Sequence, residues 1–216
     1  MKKCLEVVTG FLGSGKSSFI NSLIALTIVP TDKILVIQLE SGIAFIDESH
    51  RVKPVKFNKD LSYLPKFILE AVSEFNASRV IIEYNGTLPL EDLYNNLNKE
   101  NLNKKFYFGA NYFLCDAKTI DSYLLNMGGI LTPFITSANI ITVTNTLNIP
   151  HRNLSPSLKK LKNLNRKAFI ICSDTSKDLY LNLSKSKLFN KGILPKILHS
   201  LSKYLKKDVI WVILYI

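Results

Sequence analysis

Short unbroken apolar runs alternate along this chain with stretches in which apolar residues recur every three or four positions. The runs at 5–9, 34–39, 80–83, 140–144 and 168–172 are too short and too continuous for amphipathic helices, and they read as strands buried on both faces. A longer strand region covers 106–115, bent at Gly109, and a short one covers 55–57. Helical spacing fills the intervals at 15–27 (Phe19, Leu23, Ile24, Leu26) and 61–75 (Leu64, Phe67, Ile68, Ala71, Val72, Phe75). It also fills 89–101, where Pro89 stands at the start and Glu91 and Asp92 in the first turn. Segment 117–126 is helical, broken at Gly128-Gly129 and resumed at 131–137, and 158–164 is a further helix. Residues 40–53 read as irregular, and 148–156, with Pro150 and Pro156, as a loop. Past 172 the pattern is mostly helical until 209–216, a last strand too short to span a membrane. Alternation of this kind predicts an α/β fold, a mostly parallel sheet with helices on both faces, in a single domain over 1–216.

On such a sheet, ligands sit beyond the carboxyl ends of the strands, so the segments that follow strands carry the candidate chemistry. The first is Gly10-Phe11-Leu12-Gly13-Ser14-Gly15-Lys16-Ser17, continued by Ser18, which fits the phosphate-binding pattern GxxxxGK[ST] between a strand and a helix. The pattern has a mechanical reason. Glycines let the loop curl so that successive N–H groups converge on an anion, and the helix that follows presents its positive end to the same place. In such loops the Lys, here Lys16, reaches the β- and γ-phosphates, and the hydroxyl, here Ser17, binds Mg²⁺. Glu83 ends a hydrophobic strand, where an acid that organises Mg²⁺ belongs, and Gly86 is placed to offer its N–H to a γ-phosphate. The expected ligands are GTP or ATP with Mg²⁺, and a P-loop nucleotide triphosphatase is the function class.

Composition narrows this picture without adding to it. The chain has 216 residues, 47% of them hydrophobic, and a net charge of +11. Residues 1–150 carry 14 basic and 14 acidic groups, so the whole excess lies in 151–216, where 14 basic residues face only Asp174, Asp178 and Asp208. A solvated lysine-rich face explains this; a surface meeting an acidic partner protein, anionic lipid or nucleic acid is the alternative, with no strong case for nucleic acid. Three scattered cysteines form no disulfide framework, which predicts a cytoplasmic protein. Met1-Lys2-Lys3 and the apolar run behind it read as a first strand, because the phosphate loop begins before a signal sequence could finish. His50, near Asp47 and Glu48, has no second His or Cys at ligand spacing and reads as a solvated loop residue; His151 and His199 also stand alone.

Taken together, these residues resemble the CobW-type family of P-loop GTPases, relatives of the nickel-insertion GTPases for hydrogenase and urease. Val7 through Ser17 matches that family's opening almost residue for residue. Glu40, Gly42 and Asp47 fall on its N-E-x-G…D switch segment, and Ile82-Glu83-Tyr84-Asn85-Gly86 on its E-T-S-G segment. Cys115-Asp116-Ala117 falls on a V-D-A segment, Asn165 to Ala168 on an N-x-x-A segment, and Leu194-Pro195 on an L-P turn. The resemblance implies that Glu40 and Glu83 hold waters of Mg²⁺ and that Asp47 positions the attacking water. It implies slow hydrolysis in a regulatory or metal-chaperone role, with a metalloprotein or permease as partner and a nucleotide-dependent homodimer. The departures are as informative. The family's metal-binding C-x-C-C is missing, since 41–79 contain no cysteine, so a tight nucleotide-coupled zinc, nickel or cobalt site is not expected. The guanine-reading N-K-x-D segment falls on Thr144-Asn145-Thr146-Leu147, which places Thr144 and Asn145 at the nucleotide but supplies no Asp. Weak discrimination between GTP and ATP follows. Family members carry a further C-terminal domain, which would make this chain a truncated form. The rival reading is a nucleotide-dependent interaction module with little hydrolysis, docking through its basic last third on an acidic partner or membrane surface.

Overall fold

The computed structural model describes residues 2–39, 45–147 and 149–185. In chain order the elements are β1 (Lys3–Gly10), α1 (Lys16–Thr27), β2 (Ile34–Gln38), β3 (Val52–Lys56), α2 (Leu64–Phe75), β4 (Arg79–Asn85), α3 (Leu90–Leu97) and α4 (Leu102–Lys105). They continue with β5 (Phe106–Asp116), α5 (Ile120–Ser137), β6 (Ile140–Thr144), α6 (His151–Leu164), β7 (Phe169–Ser173) and α7 (Ser176–Lys185). The strands form one sheet in the order β3-β2-β4-β1-β5-β6-β7, with every adjacent pair parallel. The continuous apolar runs have this cause: a strand with helices above and below must be apolar on both sides. Along β1, Leu5 and Val7 point into the layer covered by α2, α3, α5 and α6, while Val8 points into the layer covered by α1 and α7. On α1, Phe19, Ile20, Leu23 and Ile24 make the buried stripe, and each such side chain contributes about 1.5–3 kcal/mol on burial.

Four local expectations are corrected. The segment with two prolines is not a loop throughout: α6 starts at His151, directly after Pro150, and runs through Pro156. Leu154, Leu158 and Leu161 fall on one face of this helix and pack on the core, which offsets the hydrogen bond that Pro156 cannot make. The break in α5 lies at Met127, whose φ of −132° is not helical, one residue before the glycine pair. Helix α3 ends at Leu97, and α4 follows as a separate turn. Strand β3 begins at Val52 and contains Pro54, which an edge strand tolerates because its outer side needs no N–H. The expected bend at Gly109 is present: the β1–β5 register shifts between Leu5 and Val7, and a Cβ at Gly109 would lie 2.7 Å from the Cys4 sulfur.

Two buried polar clusters hold the layers in register. The Glu6 carboxylate accepts from Tyr112 Oη at 2.9 Å and from Arg79 Nε, while the Arg79 guanidinium also donates to Thr27 Oγ1 at 2.7 Å. This joins β1, β4, β5 and the end of α1. Asn165 does the same between α5 and β7: its amide donates to the carbonyls of Ile135, Thr136 and Ala138, and its oxygen accepts from the N–H groups of Lys167 and Ala168. Replacing Arg79 with Ala leaves the Glu6 charge buried without its cation. A loss of about 3 kcal/mol in unfolding free energy is expected, read from the urea midpoint at unchanged slope. A variant as stable as the parent would show that water reaches Glu6.

Candidate functional site

The loop between β1 and α1 is built by its glycines. Gly13 and Gly15 have φ of 77° and 91°, a region that other residues enter only with strain, and Gly15 caps the first turn of α1. No acidic residue stands in that turn, so nothing opposes an anion at the positive end of the helix. Ser14 N–H donates to Phe11 O at 3.2 Å, closing the curl. The Ser14 hydroxyl is buried, and among the described residues it has no hydrogen-bond partner. A buried hydroxyl without a partner costs about 1–3 kcal/mol, and it marks the inside of the loop as a place for a polar guest. Lys16 is buried, and its amine donates to the carbonyls of Gly10 at 2.9 Å and Phe11 at 3.0 Å. The cation is thereby held over the loop interior. Phe11 turns its ring into the core against Tyr123, whereas Leu12 is exposed. Ser18 stands on the first turn, where its carbonyl accepts from the Ser22 hydroxyl at 3.0 Å.

Beside the loop, Ser17 Oγ donates to Glu83 Oε1 at 2.9 Å. The other carboxylate oxygen accepts from Gln38 Nε2 at 2.7 Å. Register explains this arrangement, since Gln38 on β2 and Val8 on β1 both pair with Glu83 on β4. Glu83 is 2% exposed, so its position is fixed. Gln38 is a site residue that sequence reasoning passed over. Its signal was a polar side chain closing an otherwise apolar run, two positions before Glu40. Gly86 donates its N–H to Gly10 O at 3.0 Å, and a Cβ on Gly86 would meet the Gly10 carbonyl carbon at 2.8 Å. Only glycine permits so close an approach of the two backbones. Ser17 and Glu83 are hard oxygen donors side by side, the donor set that Mg²⁺ takes.

The expected Mg²⁺ ligand Glu40, with Gly42 beside it, lies outside the described residues, as do Leu194-Pro195, His199 and 209–216. Asp47 is exposed; its N–H donates to Asn21 Oδ1 at 3.1 Å, and its carboxylate makes no hydrogen bond to Ser17 or Glu83. Across the loop on the other flank, Thr144 Oγ1 donates to Ser14 O at 3.4 Å, and Asn145 Nδ2 donates to Asp116 Oδ2 at 2.7 Å. Cys115 sits under the loop in a cavity of about 140 Å³ lined by Phe11, Ser14, Asp116 and Tyr123. Burial pushes the Cys115 thiol up, and the Cys172 thiol with it, so both stand as neutral thiols. Among the described residues no three His, Cys, Asp or Glu side chains gather as a metal cluster, and no helix is long and apolar enough to cross a membrane.

The sequence matches no protein-family model and no curated protein. Solved structures resemble it in fold. Zn(II)-bound YjiA GTPase from E. coli superposes with a TM-score of 0.61 at 19% identity, over 84% of this chain and 62% of YjiA. The hydrogenase maturation factor HypB from Archaeoglobus fulgidus gives 0.52 at 17% identity, over 92% and 90% of the two chains. Cell division protein FtsY from Thermotoga maritima gives 0.54 at 12% identity, over 84% and 67%. The chain thus spans less than two thirds of the length of YjiA. At these identities the likeness speaks for architecture, and with the seven-stranded parallel sheet and the glycine loop at its centre it establishes an α/β P-loop NTPase fold.

Proposed function

We propose that this chain is a Mg²⁺-dependent P-loop nucleoside triphosphatase of the CobW type, with GTP as its nucleotide and slow turnover. The observation that carries this reading is the Lys16–Ser17–Glu83 arrangement around a curled loop with a buried, unpartnered Ser14 hydroxyl. Gly13 to Ser18 would hold the phosphates through backbone N–H groups, with Lys16 as their cation and Thr144 and Asn145 toward the base; the γ-phosphate contact expected of the Gly86 N–H is given up, because that N–H is bound to Gly10 O. Ser17, Glu83 and Glu40 would hold Mg²⁺ and its waters; when bound, the ion neutralises charge on the transferring phosphoryl group. Lys16 can leave the Gly10 and Phe11 carbonyls for phosphate oxygens, a charge-assisted exchange that strengthens both partners. Glu83, held by Ser17 and Gln38, is oriented before any ligand arrives, so little reorganisation remains for the reaction. The metal-chaperone role, a metalloprotein or permease partner and a nucleotide-dependent homodimer rest on the sequence resemblance.

The exposed carboxylate of Asp47, with no hydrogen bond to Ser17 or Glu83, favours a second reading. In it the nucleotide controls docking on an acidic partner or membrane surface, and hydrolysis is vestigial. Purified protein with GTP, with and without Mg²⁺, separates the two. Mg²⁺-dependent binding with multiple-turnover phosphate release is expected. Tight binding without release would select the interaction module, and no binding of any triphosphate would refute both.

A further inference from the structure

We propose that Asp174, at the end of β7, is the carboxylate that reads the base, in place of the acid missing from the loop after β6. The inference rests on the nucleotide reading above. Ser17 and Glu83 lie on the β1–β4 side of the loop, which makes that side the Mg²⁺ and γ-phosphate end. The rest of a nucleotide then extends the other way, beyond the carboxyl ends of β5, β6 and β7. There the chain after β6 is tied to the phosphate loop through Thr144 and Ser14, and it turns at Asn145 with φ 58°. Strand β6 ends at Thr144. If the four-residue base segment is counted from Thr144 its acid position is Leu147, and if it is counted from the first loop residue, Asn145, it is Asn148. Neither is an acid.

A carboxylate nevertheless comes to this loop from the next strand. Asp174 Oδ2 accepts from Thr146 Oγ1, and Asp174 Oδ1 accepts from the Leu147 N–H, each at 2.8 Å. Its position is therefore fixed at the tip of the base loop. An ionised carboxylate offers about four acceptor sites, so each oxygen retains capacity for one more donor. Guanine presents two donors side by side, N1–H and the 2-amino group, and a carboxylate is their matched acceptor. Adenine presents an unprotonated N1 at the corresponding edge, which a carboxylate repels. Beside the carboxylate the Leu147 side chain is 75% exposed, an apolar surface against which a base plane can lie. Asp116, a second acid on this flank, accepts from Asn145 Nδ2 and the Lys118 N–H and lines the cavity under the phosphate loop, and Asp178 in the first turn of α7 accepts from Thr175 Oγ1.

The test is competition binding of GTP, ATP and xanthosine triphosphate to the full chain and to Asp174→Asn. Xanthine keeps N1–H but carries a carbonyl at C2, which an Asn amide can donate to. The parent protein is expected to prefer GTP over ATP by about a hundredfold. The variant should lose about ten- to a hundredfold in GTP affinity, gain about tenfold for the xanthine nucleotide and keep ATP within about threefold. Equal losses for all three nucleotides would reduce Asp174 to a staple of the loop and overturn the inference alone. So would a GTP to ATP ratio near one in the parent, the outcome the missing loop acid suggests, or a shift in base preference that follows Asp116→Asn instead. A parent protein that binds none of the three would remove the phosphate-loop reading and this inference with it.

Discussion

Lys16→Ala should lose about a hundredfold or more in affinity for a fluorescent GTP analogue, while circular dichroism stays that of the parent. The size follows from the chemistry: charge-assisted bonds to phosphate are worth about 1.5–3 kcal/mol each, and this amine can reach two phosphate groups. Its present partners show how the cation is stored. Among its contacts are the carbonyls of Gly10 and Phe11, neutral acceptors that it can exchange for phosphate oxygens. Lys16→Arg should rescue little, because the planar guanidinium cannot occupy a pocket shaped for a compact ammonium. Equal affinities of parent and Ala variant would end the phosphate-loop assignment.

The second large effect belongs to turnover. Glu83→Gln should lower the rate of phosphate release by about a hundredfold and change nucleotide affinity by no more than about threefold. Gln keeps the size of the side chain and one acceptor, so the Ser17 or the Gln38 bond can persist. What it removes is a negative charge, 2% exposed, at the point where the ion and its waters are organised. Single-turnover phosphate release alongside equilibrium binding separates the two quantities. Unchanged turnover would take Glu83 out of the chemistry and leave it as a buried anchor for β2 and Ser17.

The parts of the fold legible in the sequence were those that local rules dictate. A strand buried on both faces must be apolar throughout, and the phosphate loop constrains glycine, lysine and hydroxyl at fixed offsets. The parts that escaped depend on which strands become neighbours. Gln38 lies 45 residues from Glu83, and nothing local distinguishes it from any polar residue at a strand end until β2 and β4 are paired. Asp174 looked like one of three acids in a basic stretch, and its bonds to Thr146 and Leu147 arise only because β7 adjoins β6. Pro156 misled for the opposite reason: a strong local signal was overridden by the stripe of Leu154, Leu158 and Leu161 against the core. The kink at Met127 came one residue early because two adjacent glycines relax a helix without fixing which residue leaves it.

The position of β1 has a bearing on how the molecule comes into being. Of the described strands it comes first in the chain, and it is the middle strand of the sheet, flanked by β4 and β5. Its ion pair and tyrosine contact reach across 73 and 106 residues. At translation rates of about 5–20 residues per second, about 4–15 s pass between Glu6 and its first such partner, Arg79 on β4. The phosphate loop thus precedes the rest of its site in the chain: the Glu83 carboxylate and the Thr144 hydroxyl that flank it are added 66 and 130 residues after the loop residues they contact.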